Sequence, residues 1–212
     1  MNDNTIHGII DILKDLNALG INNIPYNLKY SALQNARLDV LKCVKCSLQT
    51  KHRVFGQGNP YASLMIIGEI PDENEERLGI PFVGQHGDIF SSLINRLGLK
   101  MTDIYITNII KCRPNHPDMV VDDDLAKCNF HLNKQIEIIS PSIIMTMGNT
   151  PSKYLLSTDK DISEFRGKFF QYSGIKVMPT FHTSAFLTLN NLKGLTWSDA
   201  QQVLKELKFQ RS

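Results

Sequence analysis

No apolar run in this chain of 212 residues approaches the ~18 residues that a membrane-spanning helix requires. The longest, such as Ser142 to Gly148, has the length of a strand. Met1 to Gly20 interrupts its aliphatic residues with Asp11, Lys14 and Asp15, unlike the continuous apolar centre of a signal peptide. A soluble, cytoplasmic protein with no membrane partner is expected. The chain also lacks an excess of either charge: 23 basic against 21 acidic residues leave a net charge of +2. It is no polycation, so any contact with nucleic acid must come from a local basic surface or from backbone amides. Internal repeats and low-complexity segments are absent. With 42% hydrophobic and 21% charged residues the composition is ordinary for a globular domain, which excludes disordered and fibrous classes.

What the chain does have is an alternation of short apolar runs with helical patterns. From Ser63 onward, SLMIIGE, IYITNIIK, SIIMTMG and KVMPTF are separated or followed by amphipathic stretches at Asp88 to Leu97, Asp123 to Ile139, Pro151 to Leu156 and Trp197 to Leu207. Parallel strands need crossover connections, and those are usually helices. A three-layer α/β/α fold with a central four-stranded parallel sheet is therefore expected. Ahead of it, residues 5 to 19 place Ile6, Ile9, Ile10, Leu13 and Leu16 on one helical face, and INNIPYN reads as a linker. The expected division is an N-terminal helix and linker over residues 1–30 and an α/β domain over residues 31–212. A second helical pattern runs from about Leu28 into Cys43.

Four cysteines in an intracellular chain point to metal ligands or buried hydrophobes rather than disulfides. Their spacing, C-x2-C-x65-C-x15-C, uses Cys43, Cys46, Cys112 and Cys128 and leaves none over. The C-x2-C turn supplies two thiols beside the polar Lys42, Lys45 and Ser47, a poor setting for a hydrophobic core. Four thiolates suit zinc or an iron-sulfur cluster, and ligand softness alone does not choose between them.

The stretch GEIPDENEERLGIPFVG, Gly68 to Gly84, follows the first apolar run directly and concentrates acidic residues beside a Pro-Phe-Val-Gly turn. In open α/β sheets ligands bind in the crevice outside the carboxyl ends of the strands, which makes this loop a site candidate. Asn108 ends the second run and His182 follows the fourth.

CVKC, VFGQGNP, the acidic loop, YITNIIKCRP, Cys128, FRG and PTFHTSAFL, in this order over about Leu38 to Leu207, resemble family 4 uracil-DNA glycosylases. The resemblance implies a monomeric, monofunctional enzyme that hydrolyses the N-glycosidic bond of deoxyuridine in single- or double-stranded DNA to start base-excision repair. It implies that the four cysteines hold a structural 4Fe-4S cluster. It assigns uracil binding to Glu69, Ile70, Phe82, Asn108 and His182, chemistry to Glu75 and His182, and DNA contact to Ser184, Phe186 and Leu187. An amide at Asn108 can accept from uracil N3–H while donating to O4, whereas cytosine reverses both positions. Phe82 would stack on the flipped base from an exposed turn, His182 would stabilise the departing anion, and Glu75 would orient or activate water. Phe186 and Leu187 would act as wedges into the vacated stack.

The chain departs from the family's pattern at several positions. Asp72 replaces a glycine, Glu76 follows Glu75 where Glu-Asp is usual, and Ile70 removes the position of a carboxylate used by another branch. Thr183 stands for the proline of H-P-S, and Thr188 for an arginine. These departures leave room for a second reading, a cluster-bearing relative that binds uracil-containing DNA with weakened or no catalysis. A zinc-stabilised nucleotide-binding domain is a third.

Overall fold

The computed structural model describes residues 28–48, 52–114, 122–187, 189 and 191–209. The helix expected over residues 5 to 19 lies outside them, as does Thr188. The first described element, α1 (Leu28–Leu41), crosses the expected boundary after residue 30 as one continuous helix.

Three strands, β2 (Leu64–Gly68), β3 (Ile104–Asn108) and β4 (Ile143–Met147), are buried at every position. That is the signature of parallel strands covered on both faces, where alternation of polar and apolar residues is not needed. A fourth, β6 (Ile175–Thr180), joins them, and β2 pairs in parallel with β3 and β4, which in turn pairs with β6. The expectation of a four-stranded sheet is corrected by two short edge strands. β1 (Gln57–Gly58) runs antiparallel to β3, and β5 (Phe170–Tyr172) antiparallel to β6, giving six strands in the order β1-β3-β2-β4-β6-β5.

The helices divide between the two faces. On one face Leu33, Ala36 and Val40 of α1 and Leu132, Ile136 and Ile139 of the long helix α4 (Asp122–Ile139) pack on Met65, Ile67, Tyr105 and Ile144. On the other, Phe90 and Ile94 of α3 (Gly84–Arg96) and Ala200, Val203 and Leu207 of α7 (Leu192–Phe209) pack on Ile66, Ile106, Met145 and Met178. Three shorter helices occupy loops: α2 (Glu73–Leu78), α5 (Asn149–Leu156) and α6 (Ile162–Phe165). Because β3 lies on one side of β2 and β4 on the other, the chain reverses its direction of winding at β2. The crevice at the carboxyl ends of β2 and β4 is therefore the topological switch point of the sheet.

The carboxyl end of β6 is clamped by a buried polar network. Asp199 of α7 is fully buried, accepts from Thr180 Oγ1 at 2.5 Å and receives both Nε (2.9 Å) and Nη2 of Arg166. Arg166 also donates to the Leu195 carbonyl at 2.9 Å. A buried carboxylate of this kind is stable only while its donors are in place, and removing one partner of a buried pair leaves an uncompensated charge. Asp199→Ala is expected to lower the free energy of unfolding by about 3 kcal/mol, read from urea denaturation, because Arg166 would lose its acceptor. An unchanged midpoint and slope would show that this pair does not hold β6 to α7.

Candidate active site

Gly68 ends β2 directly opposite Asn108, which ends β3. A Cβ at Gly68 would collide with Asn108 Oδ1 and stand 2.8 Å from Phe82 Cζ, so only glycine lets both side chains close over the strand end. Asn108 is 1% exposed and donates from Nδ2 to Glu75 Oε2 at 3.3 Å. A carboxylate oxygen repels an amide oxygen, so this contact fixes which way the amide faces. Oδ1 and the second Nδ2 hydrogen are left for a ligand.

Glu75 does not face open water. Its carboxylate is 7% exposed and accepts three internal donors: Asp72 N at 2.8 Å, Asn108 Nδ2, and the backbone N–H of Phe82. Asp72 in return accepts from Glu75 N at 2.8 Å, so the pair forms a reciprocal capping box at the start of α2. Four residues that read as loop therefore contain a helix start. The sequence signal for it is Asp72 followed three residues later by Glu75.

Phe82 also departs from the expectation of an exposed turn. It is a non-glycine residue at φ 55°, held by the hydrogen bond to Glu75, and its ring is 5% exposed. The ring centroid lies 4.4 Å from Phe90 and 5.7 Å from His182. The left-handed backbone turns the ring inward against the strand end, so Phe82 is at once a core residue and a wall of the site.

Glu69, one residue beyond β2, crosses the switch point. Its Oε1 accepts from Thr150 N at 3.0 Å, and a Cβ at Gly148 would come within 2.5 Å of its carboxyl carbon. Glu69 and Ile70 also line a 690 Å³ cleft that continues along Asn149, Thr150 and Lys153. His182 accepts from Ser184 N at Nδ1 (3.3 Å), with Ser184 Oγ at 2.8 Å from the same nitrogen. A ring nitrogen that accepts carries no proton, so Nε2 bears it and is the donor. Burial holds the histidine below its ordinary pKa, against an opposing pull from the Glu69 carboxylate. The neutral Nε2–H form is thus favoured.

The remaining expected residues are more dispersed. Phe186 lies in a 3-10 turn over Thr183–Leu187 and is 3% exposed, so it packs inward and is not presented as a wedge. The side chain of Leu187 lies outside the described atoms, while Leu189 is 54% exposed. Thr183, where the resemblance leads one to expect proline, is fully buried, and its hydroxyl has no hydrogen-bond partner among the described residues.

Beneath Asn108 lies a polar network that sequence reasoning missed. Lys111 is 1% exposed and its ammonium donates to Asn108 O, Thr107 Oγ1 and Gln135 Oε1, each at 2.6 Å. Gln135 in turn donates to Phe55 O at 2.8 Å and Tyr105 Oη at 3.0 Å. Burial brings Lys111 down to about 7, with the neighbouring Cys128 pulling the other way. The backbone N–H of Lys111 donates to Cys128 Sγ at 3.3 Å, which joins this network to the cysteines.

All four cysteines are free thiols. Cys112 and Cys128 are buried in one core cluster with Cys46 packed against it, and burial raises the pKa of Cys128 to about 11. The C-x2-C turn is fastened from two sides. Ser47 N and Oγ donate to Asp124 of α4 at 2.9 Å, and Arg53 Nη2 donates to Cys43 O at 2.8 Å. Arg53 itself bridges to Cys112 in antiparallel pairing. Among the described residues no group of three or more histidine, cysteine or acidic side chains is set to hold a metal ion.

The fold and this strand-end site define the class. The family model of the uracil DNA glycosylase superfamily matches residues 55–208, and the chain belongs to that superfamily. Within it, the chain is 38% identical over 180 residues to the type-4 uracil-DNA glycosylase of Saccharolobus solfataricus, covering 80% of this chain and 83% of that protein. It is 35% identical to the type-4 enzyme of Sulfurisphaera tokodaii over 81% of this chain and 83% of that protein. For the type-4 enzyme of Thermotoga maritima the values are 34%, 80% and 91%.

Burial is the largest influence on Glu75 and raises its pKa to about 7, although the Phe82, Asp72 and Asn108 donors lower it. A carboxyl group with a raised folded pKa binds its proton more tightly when folded, so its contribution to stability falls as pH rises from the unfolded value towards 7. Relative to Glu75→Gln, the native protein is expected to lose about 2 kcal/mol between pH 5.5 and 7.5, measured by denaturant titration at both pH values. Parallel pH profiles for the two proteins would show that Glu75 is ionised throughout.

Proposed function

We propose that the chain is a monofunctional uracil-DNA glycosylase that acts as a monomer on single- or double-stranded DNA. The observation that supports this reading is the buried Asn108 amide, held by Glu75 through one Nδ2 hydrogen, which leaves one acceptor and one donor for a base. Uracil presents the complementary N3–H and O4, while cytosine would leave buried polar groups unpaired. The names and coverage of the type-4 relatives support the same substrate.

The base enters the pocket by leaving the stack, and the Phe82 ring supplies an apolar face against it. As the bond between N1 and C1′ breaks, its electrons move onto the base. His182 Nε2–H stabilises the negative charge at O2, as a preorganised donor does in an oxyanion hole. Water adds to C1′ of the cationic sugar, and its proton ends on the departing uracil. Glu75 serves this chemistry through others: it holds the Phe82 turn and the Asn108 amide, its oxygens being already engaged. Glu69 and Ile70 border the base from the β2 side, and Ser184 sets the His182 tautomer. Leu189, exposed beside the 3-10 turn, is better placed than Phe186 to enter the vacated stack.

The cysteines fit a 4Fe-4S cluster in their donor chemistry. Four reduced thiols come from a pinned turn, the segment after β3, and α4. Cys43, Cys46, Cys112 and Cys128 would hold the cluster, which would supply a covalent tie among those segments and no redox step. Basic residues beside the cysteines, such as Lys42, Lys45 and Arg53, would offset the charge of such a site.

The deciding experiment is single-turnover release of uracil from single-stranded and U:G duplex oligonucleotides by freshly purified, iron-containing protein. His182→Ala is expected to slow the chemical step by about 100-fold. Asn108→Asp is expected to erode the preference for uracil over cytosine. Absence of uracil release by the native protein, with DNA binding retained, would overturn the enzymatic reading.

A further inference from the structure

A net charge of +2 does not account for binding to a polyanion, and the loop beside the pocket is acidic. Part of that acidity is engaged within the fold. Glu75 is buried, Asp72 caps α2, and Arg113 stands 3.9 Å from Glu73 and 3.6 Å from Glu76. Arginines gather elsewhere. Arg37 of α1, Arg53 and Arg77 of α2 line one open groove of 190 Å³, together with His52, Phe55 and Gly79. Among the described residues no carboxylate is in its lining. The hydrogen bonds described for two of these guanidinium groups go to neutral oxygens: Arg53 to the Cys43 carbonyl and Arg77 to Asn74 Oδ1 at 3.3 Å. Neither contact neutralises charge. Arg37 and Arg77 are solvent-exposed, and Leu41 and Leu78 flank them at 43% and 50% exposure.

The position of the groove is as specific as its charge. Arg53 pairs with Cys112 beyond the carboxyl end of β3, and the carbonyl of Phe55 accepts from Thr107 Oγ1 at 2.8 Å one residue before Asn108. Gly79 lies three residues ahead of Phe82. The groove therefore opens at the same end of the sheet as the uracil pocket, outside the β1/β3 edge.

We propose that this groove is a phosphate-binding subsite for the DNA backbone, separate from the uracil pocket and from the His182 loop. Planar guanidinium groups match the geometry of phosphate oxygens, and three of them on different elements (α1, the strand-leading segment and α2) form a cradle for one phosphate. The exposed Leu41 and Leu78 side chains suit the adjoining sugar. The subsite positions the strand and carries no base information, as phosphate contacts do. It rests on the reading of the chain as a DNA-binding glycosylase.

The test is the salt dependence of binding by the full-length protein to fluorescent single-stranded and duplex oligonucleotides, with and without one uracil. The variants are Arg77→Gln and the double variant Arg37→Gln/Arg77→Gln, with Lys134→Gln as a control that removes an equal charge elsewhere. Lys134 is an exposed residue paired with Glu137 on α4. Each lost phosphate contact is expected to lower the slope of log affinity against log salt by about 0.7 to 0.9. Arg77→Gln should weaken binding equally for all sequences, the double variant more so, and the uracil-release rate at saturating DNA should stay within about twofold of native. Thermal unfolding checks that the double variant is folded, and Arg77→Gln alone decides the matter if it is not. Native slopes in the folded variants, or the same loss in Lys134→Gln, would overturn the subsite. Because the binding assay needs no chemistry, a native protein that releases no uracil would sink the enzymatic reading and leave this result standing.

Discussion

One buried carboxylate joins the parts of this site. A carboxyl group nearly out of contact with water costs several kcal/mol unless its lone pairs are satisfied. Glu75 meets that requirement by drawing together three segments: the turn after β2 through Asp72 N, the Pro-Phe turn through Phe82 N, and the end of β3 through Asn108 Nδ2. The helix start, the left-handed backbone at Phe82 and the orientation of the amide are consequently one structural event. None could be changed without leaving a donor or an oxygen unpaired. Desolvation still dominates over the three donors, since the group titrates at about 7 and not in the ordinary carboxylate range. The site thus stores unfavourable solvation in a residue that need not touch the substrate.

The other two site positions are supported in the same manner by groups just behind them. Asn108 rests on Lys111, whose ammonium grips the Asn108 carbonyl and reaches the cysteine region through its own backbone. His182 lies two residues beyond Thr180, which Asp199 and Arg166 fix to α7. In each case a titratable group buried in the layer between sheet and helix holds the last strand residue, which is the functional residue itself at Asn108 and lies two positions ahead of it at His182. Such placement suits a reaction that depends on preorganised donors, because displacement of about 1 Å from the productive geometry is enough to cost much of the rate.

The sheet was legible because its information is local. The four apolar runs became β2, β3, β4 and β6 at nearly the expected residues, and the amphipathic stretches became α3, α4, α5 and α7. The edge strands were not legible. β1 has two residues and β5 three, and their pairing depends on partners brought in by the fold more than on any pattern of their own. At the site, Gly68, Asn108 and His182 could be placed at strand ends from sequence because the runs ended there. Burial at Phe82 and Phe186 could not be foreseen. Flanking glycine and proline signal a turn, but not whether the turn's aromatic residue points inward, which depends on the left-handed angle at Phe82 and on Phe90 across from it. The cap at Glu75 is a related case: an acidic residue in a site-bearing loop can also serve as a cap, and its spacing to Asp72 carries that information.

The distribution of charge resolves the apparent conflict between an acidic loop and a polyanionic partner. What governs encounter with DNA is the field outside the surface, and a charge neutralised inside a capping box or an ion pair contributes little to it. Of the acidic residues of α2, Glu75 is spent on Phe82 and Asn108, and Glu76 and Glu73 share Arg113. Arg37 and Arg77, by contrast, are exposed residues. A chain almost neutral in total can therefore still present arginines near its site, and Arg77 stands on the same short helix whose Glu75 holds the Phe82 turn. The sign of the loop's composition and the sign of the field it projects are different quantities, and the second follows only from where each side chain finds its partner.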